Sequence, residues 1–339
     1  MADLINGSFF DNSLQNQHFM KNKRISLAPM IDYTTADFRA FARLFNPDIY
    51  LYTEMISTSA ILKGDAHHVL RADASEHPAV LQLGGSDAGE MAAAVSIAER
   101  LPVAYDEYNI NVGCPSDRVQ HNKIGACLMA EPLTVANMVR AMRDVTDKPV
   151  TVKHRIGIDH HDSYEFMRNF VEKVAESGCR HFVAHARIAW LQGLSPKQNR
   201  EIPPLRYEDI YRLKQEFAEL TIEINGGIQT LEAIREHLQY VDGVMVGRAF
   251  YHNPFLMAQC NELWGRDVPS HHQIFEGLLT YLERREDEGA NLATLARHYL
   301  GLFQGLTGAR RWRQELSGKS TLSLAQIRHA GEQVLAQNP

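Results

Sequence analysis

Eight short apolar segments rich in β-branched residues recur through the first three quarters of this sequence of 339 residues. They begin near residues 25, 49, 79, 107, 150, 181, 220 and 243, and they read ISLAPM, IYLYTEM, AVLQLGG, EYNINVG, VTVKHRI, HFVAHAR, LTIEING and GVMVGR. Most of the segments between them, such as 90–101 and 133–145, place apolar residues at the three- and four-residue spacing that is typical of helices. Apolar strands that alternate with helices predict a parallel sheet covered by helices on its outer face.

The number of these units predicts a closed (β/α)8 barrel, or TIM barrel, in the α/β class. Eight units over about 225 residues fit a closed barrel better than an open doubly wound sheet. An open sheet would be expected to have fewer strands and a G-x-G-x-x-G turn after its first strand, and the sequence has no such turn there.

The sequence changes character after Asn253 and Pro254. From His272 onward only helical patterns occur, and they are interrupted by glycines at 289, at 305 and 308, and at 318. This pattern predicts a small C-terminal all-α helical domain. We therefore expect a flexible N-terminal tail over residues 1–24, the barrel over 25–255 and the helical domain over 256–339.

Composition limits the class of protein. Hydrophobic residues make up 45% of the chain and charged residues 22%, which is ordinary for a globular protein. No segment approaches the ~18 consecutive apolar residues of a membrane helix, and the N-terminus lacks the apolar centre of a signal peptide, so we expect a cytoplasmic protein.

Four widely spaced cysteines without a C-x-x-C pair argue against a disulfide framework. Adjacent histidines such as His67 and His68 do not share a face of a helix or strand, so we expect no metal.

The charge is unevenly distributed along the chain. The formal net charge is -6, which by itself disfavours a nucleic-acid partner. Residues 297–319, which we call the basic stretch, contain five basic residues and the single acid Glu315, giving +4. Binding responds to local patches rather than to the total, so the basic stretch is a candidate contact for an anionic partner.

Polar and reactive side chains follow nearly every predicted strand, where the active site of a (β/α)8 barrel lies. They are Met30, Glu54, Gln82, Asn109, Asn111, Cys114, Lys153, Arg155, His185, Arg187, Asn225 and Arg248. About half of them would be expected in any barrel, because strands end in polar turns. The complete set predicts a catalytic rim.

Cys114 is the most specific feature of this rim. A lone cysteine is more often inert packing in a core than a functional group. Here Gly113 permits a tight turn and Pro115 fixes the backbone, so a rigid loop presents the thiol. This setting favours a chemical role for Cys114.

Two glycine-containing turns suggest a phosphate site. I-N-G-G-I follows the seventh strand and V-G-R-A follows the eighth, so backbone amides could approach a phosphate closely, with Arg248 as a cation. Either turn alone could be a simple strand-to-helix connection.

Lys153 has three possible roles. It could form a Schiff base with a carbonyl substrate, place a positive charge beside a flavin ring, or form a structural ion pair.

The chain resembles the tRNA-dihydrouridine synthase family, and within it the A subfamily. The matching motifs are LAPMID (27–32), LYTEM (51–55), LQLGG (81–85), NVGCPSDRV (111–119), VKHRIG (152–157), HAR (185–187), INGGI (224–228) and GVMVGR (243–248). The resemblance implies an FMN-bearing barrel, NADPH as electron donor, and a helical domain that helps to hold tRNA.

It further implies roles for individual residues. The FMN site comprises Pro29, Met30, Gln82, Lys153, His185, Asn225, Gly226, Gly227, Gly247 and Arg248. Cys114 is the catalytic acid, and Asn111 contacts the substrate uridine. Residues 194–205 and 308–313 contain the expected tRNA contacts, which are Lys197, Arg200, Arg310 and Arg313.

The expected reaction is reduction of the C5=C6 bond of uridine in tRNA, with hydride from reduced FMN to C6 and a proton from Cys114 to C5. The resemblance implies positions 20 and 20a of the D-loop, and no obligate protein partner is expected. One alternative is an FMN barrel acting on a free pyrimidine, as dihydroorotate dehydrogenase does, but the basic stretch and helical domain would be surplus to it. A second alternative is a non-catalytic RNA-binding protein, and the position of Cys114 on the rim argues against it. A third is a Schiff-base aldolase.

Overall fold

The computed structural model describes residues 20–116 and 123–339, and its centre is a closed barrel of parallel strands. The strands are β1 (Arg24–Leu27), β2 (Tyr50–Tyr52), β3 (Ile56–Ser57), β4 (Ala79–Gly84), β5 (Glu107–Val112), β6 (Val150–Arg155), β7 (His181–His185), β8 (Thr221–Asn225) and β9 (Gly243–Val246). β2 and β3 both pair with β4 and occupy one position of the barrel. β9 closes the barrel on β1, with Ile25 opposite Val244. The predicted (β/α)8 barrel is confirmed.

Helices cover the barrel and continue to the end of the chain. They are α1 (Ala36–Arg43), α2 (Thr58–Lys63), α3 (Ala66–Val69), α4 (Ala88–Ala98), α5 (Pro132–Arg143), α6 (Tyr164–Ala175), α7 (Tyr207–Glu216), α8 (Leu231–His237), α9 (Arg248–His252), α10 (Phe255–Gln259), α11 (His271–Asp287), α12 (Leu292–Leu295), α13 (Ala309–Leu316) and α14 (Leu324–Leu335). Short 3-10 turns lie at Ala74–Glu76, Gly125–Ala130, Gln198–Arg200, Cys260–Trp264 and Ala296–His298. Within the described ranges, no helix is long and apolar enough to cross a membrane.

The predicted helices at 90–101 and 133–145 are present, but they begin earlier because of their N-terminal residues. α4 begins at Ala88 because Asp87 accepts a hydrogen bond from Glu90 N and caps the helix. α5 begins with Pro132, which is favoured in a first turn because it needs no partner for a backbone N–H.

The interior of the barrel is packed, and its N-terminal end contains a buried charge cluster. Ala28, Tyr52, Val80, Val183 and Met245 form an apolar layer between the strands. Below it, Arg24 at the start of β1 makes an ion pair of 2.5 Å with Glu107 at the start of β5 and one of 2.8 Å with Glu223. Because this end is filled, the polar side chains available for chemistry lie at the opposite, C-terminal end of the strands, which we call the rim.

The C-terminal helices pack against α1 of the barrel. The ring centroids of Phe41 and Tyr299 are 4.9 Å apart. Asp37 accepts hydrogen bonds from Tyr281 Oη (2.7 Å) and Arg285 Nε (2.9 Å). The all-α character predicted for this part of the chain is confirmed, whereas a domain boundary between 255 and 256 stays a prediction.

The predicted N-terminal tail is described only from residue 20. There, Met20 is buried and Lys23 Nζ donates to Val241 O at 2.7 Å, so this short part is attached to the barrel. Residues 1–19 lie outside the described residues.

Candidate active site

A chain of amide hydrogen bonds runs inside the barrel across β4, β5 and β6, from Thr151 near the start of β6 up to Asn111 near the rim. Gln82 Nε2 donates to Asn109 Oδ1 at 2.8 Å, and Asn111 Nδ2 donates to Gln82 Oε1 at 2.7 Å. Asn109 Nδ2 in turn donates to Thr151 Oγ1 at 2.8 Å. All four side chains are buried. Because each amide oxygen receives an N–H, the network fixes the orientation of Gln82 and Asn111.

Asn111 also positions the loop that carries Cys114. Asn111 Oδ1 accepts hydrogen bonds from Gly113 N (3.1 Å) and Cys114 N (3.0 Å), which is an Asx-type turn. On the other side, Arg155 Nε donates to Gly113 O at 3.1 Å, and Ala126 N donates to Cys114 O at 2.9 Å. The half-buried thiol is therefore held by strands β5 and β6 rather than by a free loop. Residues 117–119 of the predicted motif lie outside the described residues.

The environment of Cys114 keeps its thiol protonated. Burial is the largest influence and raises the pKa of Cys114 above its usual value. The positive charges of Arg155, Arg200 and Lys153 act in the opposite direction and are outweighed. At neutral pH the group is thus a thiol that can donate a proton, and the guanidinium groups of Arg155 and Arg200 are available to stabilise the thiolate left behind.

Lys153 extends from β6 toward the end of β8. Its Nζ donates to Asn225 Oδ1 at 3.2 Å, and Asn225 Nδ2 donates to Met245 O at 2.8 Å. Burial, followed by the charge of Arg155, lowers the pKa of Lys153 to about 7. An anionic group next to this amine would favour its charged form, so Lys153 is suited to an anionic ligand.

The end of β7 meets the glycine pair after β8. His185 is buried, and burial together with Arg155 and Lys153 holds its pKa well below its usual range, so the ring is neutral at physiological pH. Gly226 has a φ of 119°, and a Cβ there would lie 2.8 Å from His185 Cδ2. No side chain fits at this position, so backbone and imidazole line the same part of the rim.

The end of β9 lies close to the end of β1. A Cβ on Gly247 would lie 3.3 Å from Ala28 Cβ and 3.4 Å from Met30 Sδ. The next residue, Arg248, is half exposed and makes an ion pair of 2.9 Å with Glu201. The structure thus brings the predicted cofactor residues to one rim, Pro29 being part of the same β1 end, while their cofactor assignment stays a prediction.

The predicted tRNA residues divide into two groups. Arg200 is the last residue of a 3-10 turn in the loop between β7 and α7, and Lys197 directly precedes that turn. Asn199 O in the turn accepts a hydrogen bond from Arg155 Nη1 at 3.0 Å. Burial and the charge of Arg248 lower the pKa of Arg200, whereas Glu201, Tyr33 and Cys114 act in the opposite direction.

Arg310 and Arg313 lie on α13, among the C-terminal helices. Arg310 is exposed, and Arg313 Nη1 donates to Gln304 Oε1 at 3.1 Å. Across the described part of the chain, no hydrogen bond or ion pair joins these two arginines to the rim, so any contact they make with tRNA is separate from the chemistry. Their role also stays a prediction.

Two residues of this region escaped the sequence analysis. Asn199 is fully buried and exchanges two hydrogen bonds with the backbone of Trp190, at 2.8 and 2.9 Å. Glu201 forms the ion pair with Arg248. Both occur in a polar loop whose sequence has no periodicity, so nothing distinguishes them from their neighbours before the loop is folded.

Residues 26–337 match the family model described as Dihydrouridine synthase (Dus). Similar curated proteins include three tRNA-dihydrouridine(20/20a) synthases. That of Pseudomonas putida is 53% identical over 299 residues, covering 87% of this chain and 88% of the relative. That of Synechocystis sp. is 52% identical over 304 residues, covering 89% and 90%. That of Vibrio cholerae is 48% identical over 320 residues, covering 93% and 97%.

A solved structure of 2-naphthoyl-CoA reductase with 2-naphthoyl-CoA has a similar fold. The TM-score is 0.55 at 10% sequence identity, covering 72% of this chain and 51% of that chain. This chain therefore spans about half the length of the reductase, and the likeness concerns the fold alone.

Proposed function

The chain belongs to the dihydrouridine synthase family, and we propose that it reduces specific uridines of tRNA, at positions 20 and 20a, to 5,6-dihydrouridine. The observation that carries the proposal is the position of Cys114, which Asn111 and Arg155 hold at the rim near the positively charged side chains of Arg155 and Arg200. The names of the relatives supply the two positions in the tRNA.

Family membership implies the use of a flavin, and we propose FMN with NADPH as electron donor. The residues of the rim fit such a group. A Cβ at Gly226 would collide with His185, and one at Gly227 would lie 2.6 Å from Leu205 Cδ1, so the turn after β8 requires glycine and has no side chain that would cover its backbone amides. Lys153 and Arg248 supply positive charge for its anionic parts. The remaining proposed contacts are Pro29, Met30, Gln82, His185, Asn225 and Gly247.

Cys114 donates the proton in the proposed reaction. Bound reduced flavin supplies the hydride that adds to C6 of uracil. Negative charge then develops on the ring carbonyl and C5, and transfer of the Cys114 proton to C5 removes it. Because its pKa is raised, the thiol is in the donating form at neutral pH, and Arg155 and Arg200 stabilise the thiolate product. General-acid assistance of this kind contributes about 10²- to 10⁴-fold in rate.

Asn111 has one remaining donor for the substrate. Its Oδ1 accepts two backbone N–H groups and one N–H of Nδ2 bonds to Gln82, which leaves the second N–H of Nδ2 unassigned in this network. We assign this group to the target uridine. Asn111 would then set both the position of the base and that of the proton donor.

The tRNA itself requires contacts beyond the rim. A uridine must leave its stacked position to reach the barrel, and proteins stabilise such a nucleotide through backbone phosphates. Lys197 and Arg200 on the rim, and Arg310 and Arg313 in the helical domain proposed for 256–339, are the cations assigned to this task. We also propose a cytoplasmic location, since tRNA is the proposed substrate.

A Schiff-base aldolase is the second candidate, because a pKa of about 7 is a property that a nucleophilic lysine such as Lys153 requires. Its hydrogen bond to Asn225 is equally suited to a lysine that holds an anion. Reduction with borohydride in the presence of a carbonyl compound would label Lys153 only in the aldolase.

The experiment that tests the proposal is reduction of a defined tRNA by the purified protein. Unmodified tRNA transcripts are incubated with NADPH or NADH, and the mass gain of two hydrogens is located by fragment mass spectrometry. Transcripts with cytidine at positions 20 and 20a serve as matched controls and are expected to gain none. Flavin absorbance with reduction of a free pyrimidine, but not of tRNA, would favour the dihydroorotate dehydrogenase-like alternative.

A further inference from the structure

Large apolar side chains are exposed at few places in the described ranges, and half of these places lie beside the rim. They are Ile31, Tyr33, Leu133, Val145, Ile202 and Tyr240. Ile31 (51% exposed) and Tyr33 (44%) belong to the loop after β1, and Ile202 (59%) belongs to the loop after β7. Exposed apolar groups next to a polar rim indicate a binding surface more often than chance exposure.

The loop after β1 is built to hold these side chains outward. Tyr33 N and Thr34 N both donate to Met30 O, at 3.1 and 3.0 Å, and Met30 N donates to Thr34 Oγ1 at 3.0 Å. Between them, Asp32 has a φ of 65°, and its N–H donates to Glu54 Oε1 at 2.5 Å. Residues other than glycine rarely adopt this left-handed conformation, and they keep it only where the surrounding structure enforces it. The loop is therefore a fixed support for Tyr33.

The ring of Tyr33 lies between the rim and the C-terminal helices. Its centroid is 4.5 Å from that of Tyr251 with an angle of 87° between the planes, so the two rings meet edge to face. Tyr251 Oη donates to Arg297 O at 3.3 Å, and Arg297 is the first residue of the basic stretch. One side of Tyr33 is thus supported by the protein, while almost half of its surface is open to solvent.

Positive charge lies between the cysteine loop and the loop after β7. Arg155 donates to Gly113 O at 3.1 Å and to Asn199 O at 3.0 Å, so one guanidinium joins the Cys114 loop to the segment that contains Arg200. Consistent with this, Tyr33 and Cys114 both act to raise the pKa of Arg200, against the larger lowering by burial. The side chain of Arg248 is close to Arg200, since Arg248 Nη2 donates to Arg200 O at 3.5 Å. Aromatic and apolar groups interleaved with cations are the combination that binds unpaired nucleotides, through base stacking and phosphate contacts.

We propose that Tyr33, flanked by Ile31, stacks on the unpaired base next to the reduced uridine, and that Arg200 binds the phosphate between the two nucleotides. This inference rests on the proposed function, because it assumes that a tRNA uridine lies over Cys114. Drawing that uridine out of its stack exposes the neighbouring base, and an exposed ring next to the rim can receive it. The cations around the ring match a phosphate backbone and would repel a basic protein partner.

The test replaces Tyr33 by side chains with and without an aromatic ring. Tyr33→Leu keeps apolar volume but removes the ring, and it should raise the Kd for tRNA about 5- to 150-fold, the range that loss of one base–aromatic contact produces. Tyr33→Trp and Tyr33→Phe should bind tRNA as well as the unmodified protein does. Tyr240→Leu, which changes an equally exposed tyrosine (49%) on the α8 side of the barrel, is the matched control and should have no effect.

Salt dependence separates stacking from charge. Tyr33→Leu should leave the slope of log Kd against log salt unchanged, whereas Arg200→Ala should reduce the slope by about one ionic contact. In a tRNA that carries 2-aminopurine next to position 20, the fluorescence of this base should be quenched by the unmodified protein and by Tyr33→Trp. Tyr33→Leu should quench it less. Flavin content and melting temperature, measured on each variant, report whether the fold is retained.

Several results would overturn the proposal. Equal tRNA affinity and equal quenching for the Leu and Trp variants would remove Tyr33 from RNA recognition while leaving the proposed function intact. A change in self-association of the Leu variant, seen by sedimentation without a change in tRNA affinity, would make the surface a contact between copies of the chain. Failure of the unmodified protein to reduce tRNA would instead refute the proposed function itself.

Discussion

Replacement of Cys114 by alanine should abolish tRNA reduction while leaving the fold and the flavin in place. The loop around Cys114 is held by backbone hydrogen bonds to Asn111 and Ala126, and none of them uses the sulfur. Removing one half-buried sulfur costs on the order of 1 kcal/mol of stability, comparable to a buried methylene. Loss of the general acid raises the barrier by roughly 3–5 kcal/mol, which corresponds to about 10²- to 10⁴-fold in rate.

The rate of uridine reduction should also depend on pH through the Cys114 thiol. Burial raises the pKa of Cys114, so the donating thiol persists at neutral pH and is lost only as pH rises through that raised value. The rate of uridine reduction should therefore be flat with respect to this group at neutral pH and decline on the alkaline side. The alanine variant should lose the alkaline decline together with most of the rate.

Single-turnover reduction of a tRNA transcript, started from photoreduced enzyme and measured across a pH series, isolates this step from flavin reduction. NADPH oxidation without tRNA serves as the internal control and should be nearly unaffected by Cys114→Ala. If the variant reduced tRNA within tenfold of the unmodified enzyme at every pH, Cys114 would not be the proton donor.

Other substitutions test the rest of the rim and the helical domain. Lys153→Met should make the potential of bound flavin more negative and slow its reduction by NADPH, as measured by spectroelectrochemistry and stopped flow, and an unchanged potential would contradict a charge role. Gly226→Ala should lower flavin content and melting temperature, because its Cβ would lie 2.8 Å from His185 Cδ2 at a φ of 119°, a strain of about 1–3 kcal/mol; flavin retention equal to the unmodified protein would argue against contact at this glycine. Changing Arg310 and Arg313 together to alanine should raise the KM for tRNA and reduce the salt slope by about one to two contacts, with flavin content unchanged. Wild-type affinity and slope in that double variant would remove the assigned role of α13.

The barrel and the location of its rim were predictable because they depend on local sequence patterns. Apolar runs of strand length are buried wherever they occur, and eight of them separated by helices close into a barrel. The residue types that follow the strands therefore all arrive at one end, whatever the details of packing. The Gly113–Cys114–Pro115 sequence predicted a rigid turn, but Gly113 does not adopt a positive φ, and the rigidity comes from the bonds that Asn111 and Arg155 make to this loop.

Only the tertiary structure decided how the loops meet above that rim. Asn111 was recognised as a strand-end residue, but its bond to Gln82 and the bond of Arg155 to Gly113 O depend on the register of β5 against β4 and β6. The ion pair of Arg248 with Glu201 and the hydrogen bond of Arg155 to Asn199 O join segments far apart in the chain. Such contacts follow from barrel closure and from the path of a non-periodic loop, which no helix or strand pattern in the sequence encodes.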